Sequence, residues 1–233
     1  MRLDKYLAHS GYGTRKEVKN LIRKKNVKVN DEIISNDDYK IDEDYDIVVV
    51  GGEEVNYVEK VFIMLNKPKD CVSANIDNMH HTVFDYISEI LPPKCFVVGR
   101  LDIDTTGLLI ISNDGKTAHK ILSPKSHVKK IYEVKLASDI NECDIMEIEN
   151  GISYLDEIYK PAIVSKIDSR LIHLQIIEGK FHQVKNMMKA INNEVIELKR
   201  IQMGNLILDD SLNEGEYRLL NELDIKKLIE MED

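Results

Sequence analysis

The spacing of apolar positions divides the 233-residue chain into a helical head and a longer strand-rich body. Leu3, Tyr6 and Leu7 recur at i, i+3 and i+4, and Gly11 is placed to end the helix they share. Thr14 and Glu17 have the spacing of a capping box and open a second helix. On that helix Val18, Leu21 and Ile22 gather on one side, while Lys16, Lys19 and Arg23 gather on the other. "VKVNDEII" then alternates as a strand does, with Asn30-Asp31 as a turn, and "DEDYDIVVVGGEEVNYVEK" reads as the last strand of the head plus a linker. From Val61 the pattern changes. "VFIMLNKPK", "CFVVG", "GLLIIS", "KIYEVKL" and "LIHLQIIEG" are apolar or alternating runs of strand length, whereas "GKTAHKIL" and "FHQVKNMMKAI" read as helices. Strands and helices mix without regular βαβ spacing. The expected class is therefore α+β: two helices plus short strands over 1–58, then a mainly antiparallel mixed sheet with flanking helices over 59–233.

Charge complicates this picture. The chain carries a formal net charge of -9, which on its own argues against a nucleic-acid partner. Its distribution argues the other way, because residues 1–35 hold nine cations against four acids. The acids concentrate in 37–59, in 139–157 and after Asp209. A second basic stretch holds Lys116, Lys120, Lys125, Lys129, Lys130 and Lys135 against Asp114 and Glu133 only. A single-signed helix face in an acidic protein suits a phosphate backbone, although a charged face can also be solvated surface. No window approaches ~18 apolar residues, so a membrane span is not expected. The charged N-terminus "MRLDKYLAHSG" argues against a secretory signal. Cys71, Cys95 and Cys143 are odd in number and widely spaced, which fits reduced thiols in the cytoplasm better than disulfides or zinc.

The candidate chemistry centres on "GRLDIDTTGLL", Gly99–Leu109. In an extended segment Asp102 and Asp104 would point to one face. Paired carboxylates for glycoside chemistry, a single nucleophilic carboxylate on a loop, and a turn whose side chains bond the backbone all remain open on these residues. An aspartic-protease Asp-Thr-Gly is broken by the extra threonine at Thr105-Thr106. Tyr132 in "KIYEVKL" is either a core aromatic or a stacking surface. "IIEGKFHQVKNMM" brings Lys180, His182, Lys185 and Lys189 to the start of a helix, a plausible anion site. His182 has no second histidine at metal spacing, and His80-His81 reads as a loop pair, so no metal is expected.

Two resemblances narrow these options. "RLDKYLAHSGYGTRKEVKNLIRKKNVKVND" resembles the S4 RNA-binding domain, departing from its pattern at Asp31, where glycine is usual. "VFIMLNKPKDCVSA", "VVGRLDIDTTGLLIISNDG", "HKILSPKSHVKKIYEV" and "IIEGKFHQVKNMMKAINNEVIELKRIQMGNLILD", in this order, resemble the ribosomal pseudouridine synthases of the RsuA type. This resemblance implies an α+β catalytic domain with an RNA cleft, isomerising uridine to pseudouridine after base flipping. It implies Asp102 as nucleophile, Tyr132 as the aromatic that stacks on the base or moves its proton, and Lys185 as the basic partner of Asp102. Asp104 would then belong to the loop's scaffold. Expected RNA contacts are Arg2, Arg15, Lys16, Lys19, Arg23, Arg100, Lys129, Lys180 and His182. No cofactor is implied, since the new C5–C1′ bond uses atoms already in the substrate. The short length and the "GEYRLL" ending are similar to the small-subunit branch, so the expected partner is 16S ribosomal RNA or an assembly intermediate, met by a monomer. A large-subunit enzyme and a non-catalytic RNA-binding assembly factor are the alternatives.

Overall fold

The computed structural model describes residues 1–43, 45–55, 60–87, 94–123 and 125–229. The chain divides into two units, one of Met1–Val61 with Glu89–Cys95 and a second of Phe62–Ser88 with Phe96–Asp233. The expected boundary at 58/59 falls within residues 56–59, outside the described residues.

In the first unit α1 (Leu3–His9) and α2 (Arg15–Arg23) precede four short strands, β1 (Val27–Val29), β2 (Glu32–Ile34), β3 (Val48–Val50) and β4 (Glu53–Glu54). The capping box forms as the spacing predicts: Thr14 N donates to Glu17 Oε2 at 2.7 Å and Glu17 N to Thr14 Oγ1 at 3.4 Å. Asn30 and Asp31 both take positive φ, 49° and 68°, in the β1–β2 turn, so the departure from glycine at Asp31 is accommodated in a left-handed conformation that aspartate tolerates. The strands order β2-β1-β3-β4. Leu3, Leu7, Val18, Ile22, Val27 and Val48 close the core between them and the helices. The stretch after Val48, read as one strand and a linker, contributes two strands joined through Gly51-Gly52.

The second unit runs β5 (Phe62–Lys67), β6 (Cys71–Val72), β7 (His81–Thr82), β8 (Phe96–Val98), β9 (Thr106–Ser112), α3 (Gly115–Leu122), β10 (Lys130–Leu136), α4 (Glu142–Asn150), β11 (Ile152–Tyr154), β12 (Glu157–Tyr159), β13 (Ile163–Lys166), β14 (Leu171–Ile176), α5 (Gln183–Ala190), β15 (Val195–Met203), β16 (Leu206–Ile207), β17 (Tyr217–Leu219) and α6 (Glu222–Ile229). The main sheet orders β13-β14-β10-β15-β9-β5-β17, and within that path only the β15–β9 pair is parallel. The α+β class with a mainly antiparallel sheet is what the irregular element spacing predicts. Every residue of β5 and β9 is buried, as befits central strands covered on both faces. β10 instead alternates, burying Lys130, Tyr132, Val134 and Leu136. One apolar layer joins Phe62, Met64, Leu108 and Ile110 of the sheet to Ala118 and Ile121 of α3 and Leu228 of α6. Cys71, Cys95 and Cys143 form no disulfide among the described residues. No helix among the described residues is long and apolar enough to cross a membrane.

Candidate active site

The Gly99–Thr105 loop enters β9, and its backbone is fixed at alternate residues. Arg200, almost wholly buried on β15, donates through Nη2 to Gly99 O at 2.9 Å and through Nε to Leu108 O at 2.8 Å. Leu101 exchanges two bonds with Ser73, its carbonyl accepting from Oγ at 2.7 Å and its N–H donating to Oγ at 3.1 Å. Buried Lys67, ending β5, donates through Nζ to Ile103 O at 3.3 Å, Thr105 O at 2.9 Å and Pro68 O at 3.0 Å. Burial pushes the Lys67 pKa down, against the pull of Cys71, Asp104 and Asp102, and three backbone carbonyls receive its ammonium. With residues 99, 101, 103 and 105 pinned, the intervening Asp102 and Asp104 are left to project.

The two carboxylates converge, though not along an extended strand. Thr105 N donates to Asp102 O at 3.1 Å, closing a turn. Lys185 Nζ then reaches Asp102 Oδ2 at 3.1 Å and Asp104 Oδ1 at 2.6 Å. The sequence reading paired Lys185 with Asp102 alone, whereas the ammonium is shared and lies nearer Asp104. Burial works against charge on both Lys185 and Asp104. The hydrogen bonds and Coulomb attraction between them prevail, so the Lys185 pKa is raised and that of Asp104 lowered. The side chain of Asp104 is 60% exposed against 29% for Asp102, which sits deeper beside His182, whose Nε2 lies 3.6 Å from Asp102 Oδ2.

Lys185 stands on the first turn of α5, and α5 starts later than the apolar pattern suggests because His182 takes the left-handed conformation, φ 51°, at its N-cap. Gln183 secures the turn, accepting from Lys180 N at 3.0 Å and donating to Glu178 Oε1 at 2.9 Å. Tyr132, opposite Leu174 and Arg200 on the neighbouring strands, completes the cleft. Asp102, Tyr132, Lys185, Arg100, Lys180 and His182 all line it. Thr105 does too, and its buried hydroxyl has no hydrogen-bond partner among the described residues.

The other expected RNA contacts lie elsewhere. Lys129 precedes β10 and does not line the cleft. Lys180, although in the cleft, spends its ammonium on Glu157 at 2.8 Å and Ile158 O at 2.7 Å, and lies over the Tyr159 ring. In the first unit the cations are partly neutralised by Asp4 and by acids of the segment after β2. Arg2 pairs with Asp4 and Asp38, Lys19 with Asp4 and Asp37, and Arg23 with Asp37. Arg15 and Lys16 are exposed and form no ion pair among the described residues. His80 and His81 bond Asp77 and Asp85 respectively, within their own loop. Lys67, Ser73 and Arg200 were not singled out from the sequence. Their one visible signal is a cation or hydroxyl within an apolar or alternating run, as in "VFIMLNKPK".

The described arrangement supplies a carboxylate, a paired cation and an aromatic face in one cleft. The family model described as RNA pseudouridylate synthase matches residues 61–190, and that of the S4 domain matches residues 1–47. An uncharacterised RNA pseudouridine synthase of Bacillus subtilis is 45% identical, covering 99% of both chains. The ribosomal small subunit pseudouridine synthase A of Haemophilus influenzae is 38% identical, covering 98% of this chain and 100% of the relative. Among solved structures, a pseudouridylate synthase crystal structure superposes with a TM-score of 0.70 at 38% identity, over 98% of this chain and 99% of that one.

Proposed function

The chain belongs to the RNA pseudouridylate synthase family, and on that premise we propose that it converts a uridine of small-subunit ribosomal RNA through Asp102, with Tyr132 and Lys185 as its partners. The observation that carries this reading is the Lys185 ammonium 3.1 Å from Asp102 Oδ2 in a cleft that Tyr132 also lines.

The reaction breaks the N1–C1′ bond, forms a C5–C1′ bond, removes the proton from C5 and returns one to N1. In this reading Asp102 is the group that meets the sugar or the ring, and Lys185 fixes its orientation. Tyr132 offers a face to the extruded base, whose departure from its stack costs a few kcal/mol. Phosphate contacts from Arg100 in the cleft and from Arg15 and Lys16 in the first unit offset that cost without reading sequence. We read residues 1–58 as the RNA-binding domain and 59–233 as the catalytic one. All three central side chains come from one chain, which supports a monomer. The small-subunit substrate is supported by the Haemophilus influenzae relative and implies work in the cytoplasm.

The test is Asp102→Asn beside Asp104→Asn, assayed for pseudouridine on transcripts of both ribosomal subunits. Loss of product with Asp102→Asn and retention, at a reduced rate, with Asp104→Asn is expected on the small-subunit transcript. Parent-like conversion by Asp102→Asn would overturn the assignment, and conversion confined to the large-subunit transcript would overturn the substrate.

A further inference from the structure

The turn between β14 and α5 carries an aromatic residue that the reading above leaves unused. Phe181 is 76% exposed, yet its ring is not loose. It stacks on the His182 imidazole, with centroids 3.7 Å apart and planes 20° from parallel. His182 lines the cleft and stands 3.6 Å from Asp102 Oδ2, so the stacked pair forms the cleft's rim on that side. Phe181 itself does not line the cleft.

The backbone beneath the pair is held firmly. His182 O accepts from Asn186 N at 2.9 Å, and the Asn186 side-chain amide donates to the Tyr159 hydroxyl at 2.9 Å and, at a long 3.5 Å, to Phe181 O. His182 sits at φ 51°, a conformation that costs a non-glycine residue free energy and persists where surrounding contacts impose it. A strained, pinned turn therefore presents a large apolar ring to water beside the reacting carboxylate. An exposed phenyl ring contributes nothing to the core. Rigid aromatic faces are instead what single-stranded RNA uses, since every base offers a π-face and sequence-specific RNA contacts target unstacked bases.

We propose that the Phe181–His182 pair is a stacking platform for a nucleobase adjacent to the target uridine. When the uridine leaves its stack for the cleft, its neighbour loses a partner face, and Phe181 supplies one. This inference rests on the reading of the cleft as the seat of uridine isomerisation in RNA. It adds a second stacking contact beside that of Tyr132, where Arg100, Arg15 and Lys16 act by charge.

The chain contains no tryptophan, so Phe181→Trp installs a single reporter at the platform. Its emission is expected to be quenched on saturation with polyuridylic acid, because a base stacks on the indole. Phe181→Ala is expected to weaken binding of the same polymer by roughly 5- to 150-fold, the range of one base–aromatic stack. On a small-subunit ribosomal RNA transcript it should raise KM while kcat at saturating RNA stays within about threefold, and Phe181→Tyr should restore KM. The slope of log Kd against log salt should not change, since no phosphate contact is lost. Unaltered emission with the polymer bound, or a parent-like KM and Kd in Phe181→Ala, would overturn the platform. Quenching and weakened binding in a protein that forms no pseudouridine would uphold the platform and instead remove the reading it rests on.

Discussion

Gly107 is where the loop bearing Asp102 depends most directly on two strands meeting, and substituting it with alanine puts a number on that dependence. β9 and β15 run parallel, with Gly107 opposite Arg200. A Cβ added at Gly107 would lie 2.3 Å from Arg200 O, 2.9 Å from Lys199 Cγ and 3.0 Å from Arg200 N. Ordinary carbon–oxygen approach is about 3.3 Å, so the strands must part by about 1 Å. Gly107 also has φ +97°, a conformation L side chains rarely adopt. Backbone strain of about 1–3 kcal/mol and overpacking of about 1–3 kcal/mol together put the cost near 4 kcal/mol. For a domain of this size that lowers the thermal midpoint by about 8–16 °C. Because Arg200 also holds Gly99 O, the same shift disturbs the seat of Asp102. A misplacement of about 1 Å costs turnover about 10²-fold. Circular-dichroism melting and initial-rate pseudouridine assays read the two effects. Gly115→Ala is the control: it opens α3 with no atom within 4 Å of an added Cβ, so it should leave both readings near or slightly above the parent's. Gly107→Ala that melts with the parent and turns over at its rate would refute the argument.

Lys130 gives a pH-dependent prediction. Burial first, then repulsion from Arg200, pushes its pKa from 10.5 to about 8, with Glu178 opposing. Below about pH 8 the folded chain carries the full penalty of a desolvated ammonium, and the penalty fades as pH rises to 10.5, where the unfolded lysine also loses its proton. Lys130→Met should therefore be more stable than the parent at pH 7, by up to about 3 kcal/mol, with the gap closing between pH 8 and 10.5 in denaturant titrations. A gap constant with pH would sink this account. In the first unit, Arg15→Gln with Lys16→Gln removes two exposed cations that form no ion pair among the described residues. It should flatten the slope of log Kd against log salt for single-stranded RNA by about 1.4, at about 0.7 per phosphate contact. A slope equal to the parent's would make that helix face solvated surface.

Much of the architecture was legible because local signals and tertiary packing agree. The Thr14/Glu17 spacing marks the start of α2, and "KIYEVKL" coincides with β10 because alternation and burial share a period of two. α4 escaped notice since only Ile145 and Ile148 of its nine residues are buried, too few to make a visible stripe. The first-unit cationic row looked single-signed because its main counter-charge, Asp37, which faces Lys19 and Arg23, comes from a segment beyond the hairpin. Lys67 and Arg200 were invisible for a different reason. Their partners are backbone carbonyls, which every residue has, so no residue type elsewhere in the chain betrays them.

The sharing of Lys185 between two aspartates gives each a separate role. An ion pair with a carboxylate as exposed as Asp104 contributes little stability, so its value lies in the reaction. In the proposed chemistry, if Asp102 bonds carbon its negative charge is consumed, and a lysine paired with it alone would be left as an unmatched cation in a partly buried cleft. With Asp104 Oδ1 at 2.6 Å, Lys185 keeps a counter-charge throughout and returns to Asp102 when the carboxylate is released. The loop achieves this by pinning residues 99, 101, 103 and 105 through Arg200, Ser73 and Lys67, which leaves 102 and 104 on either side of one ammonium. Asp104→Asn should then act on kcat more than on RNA affinity, since what it removes is the charge that Lys185 needs while Asp102 is engaged.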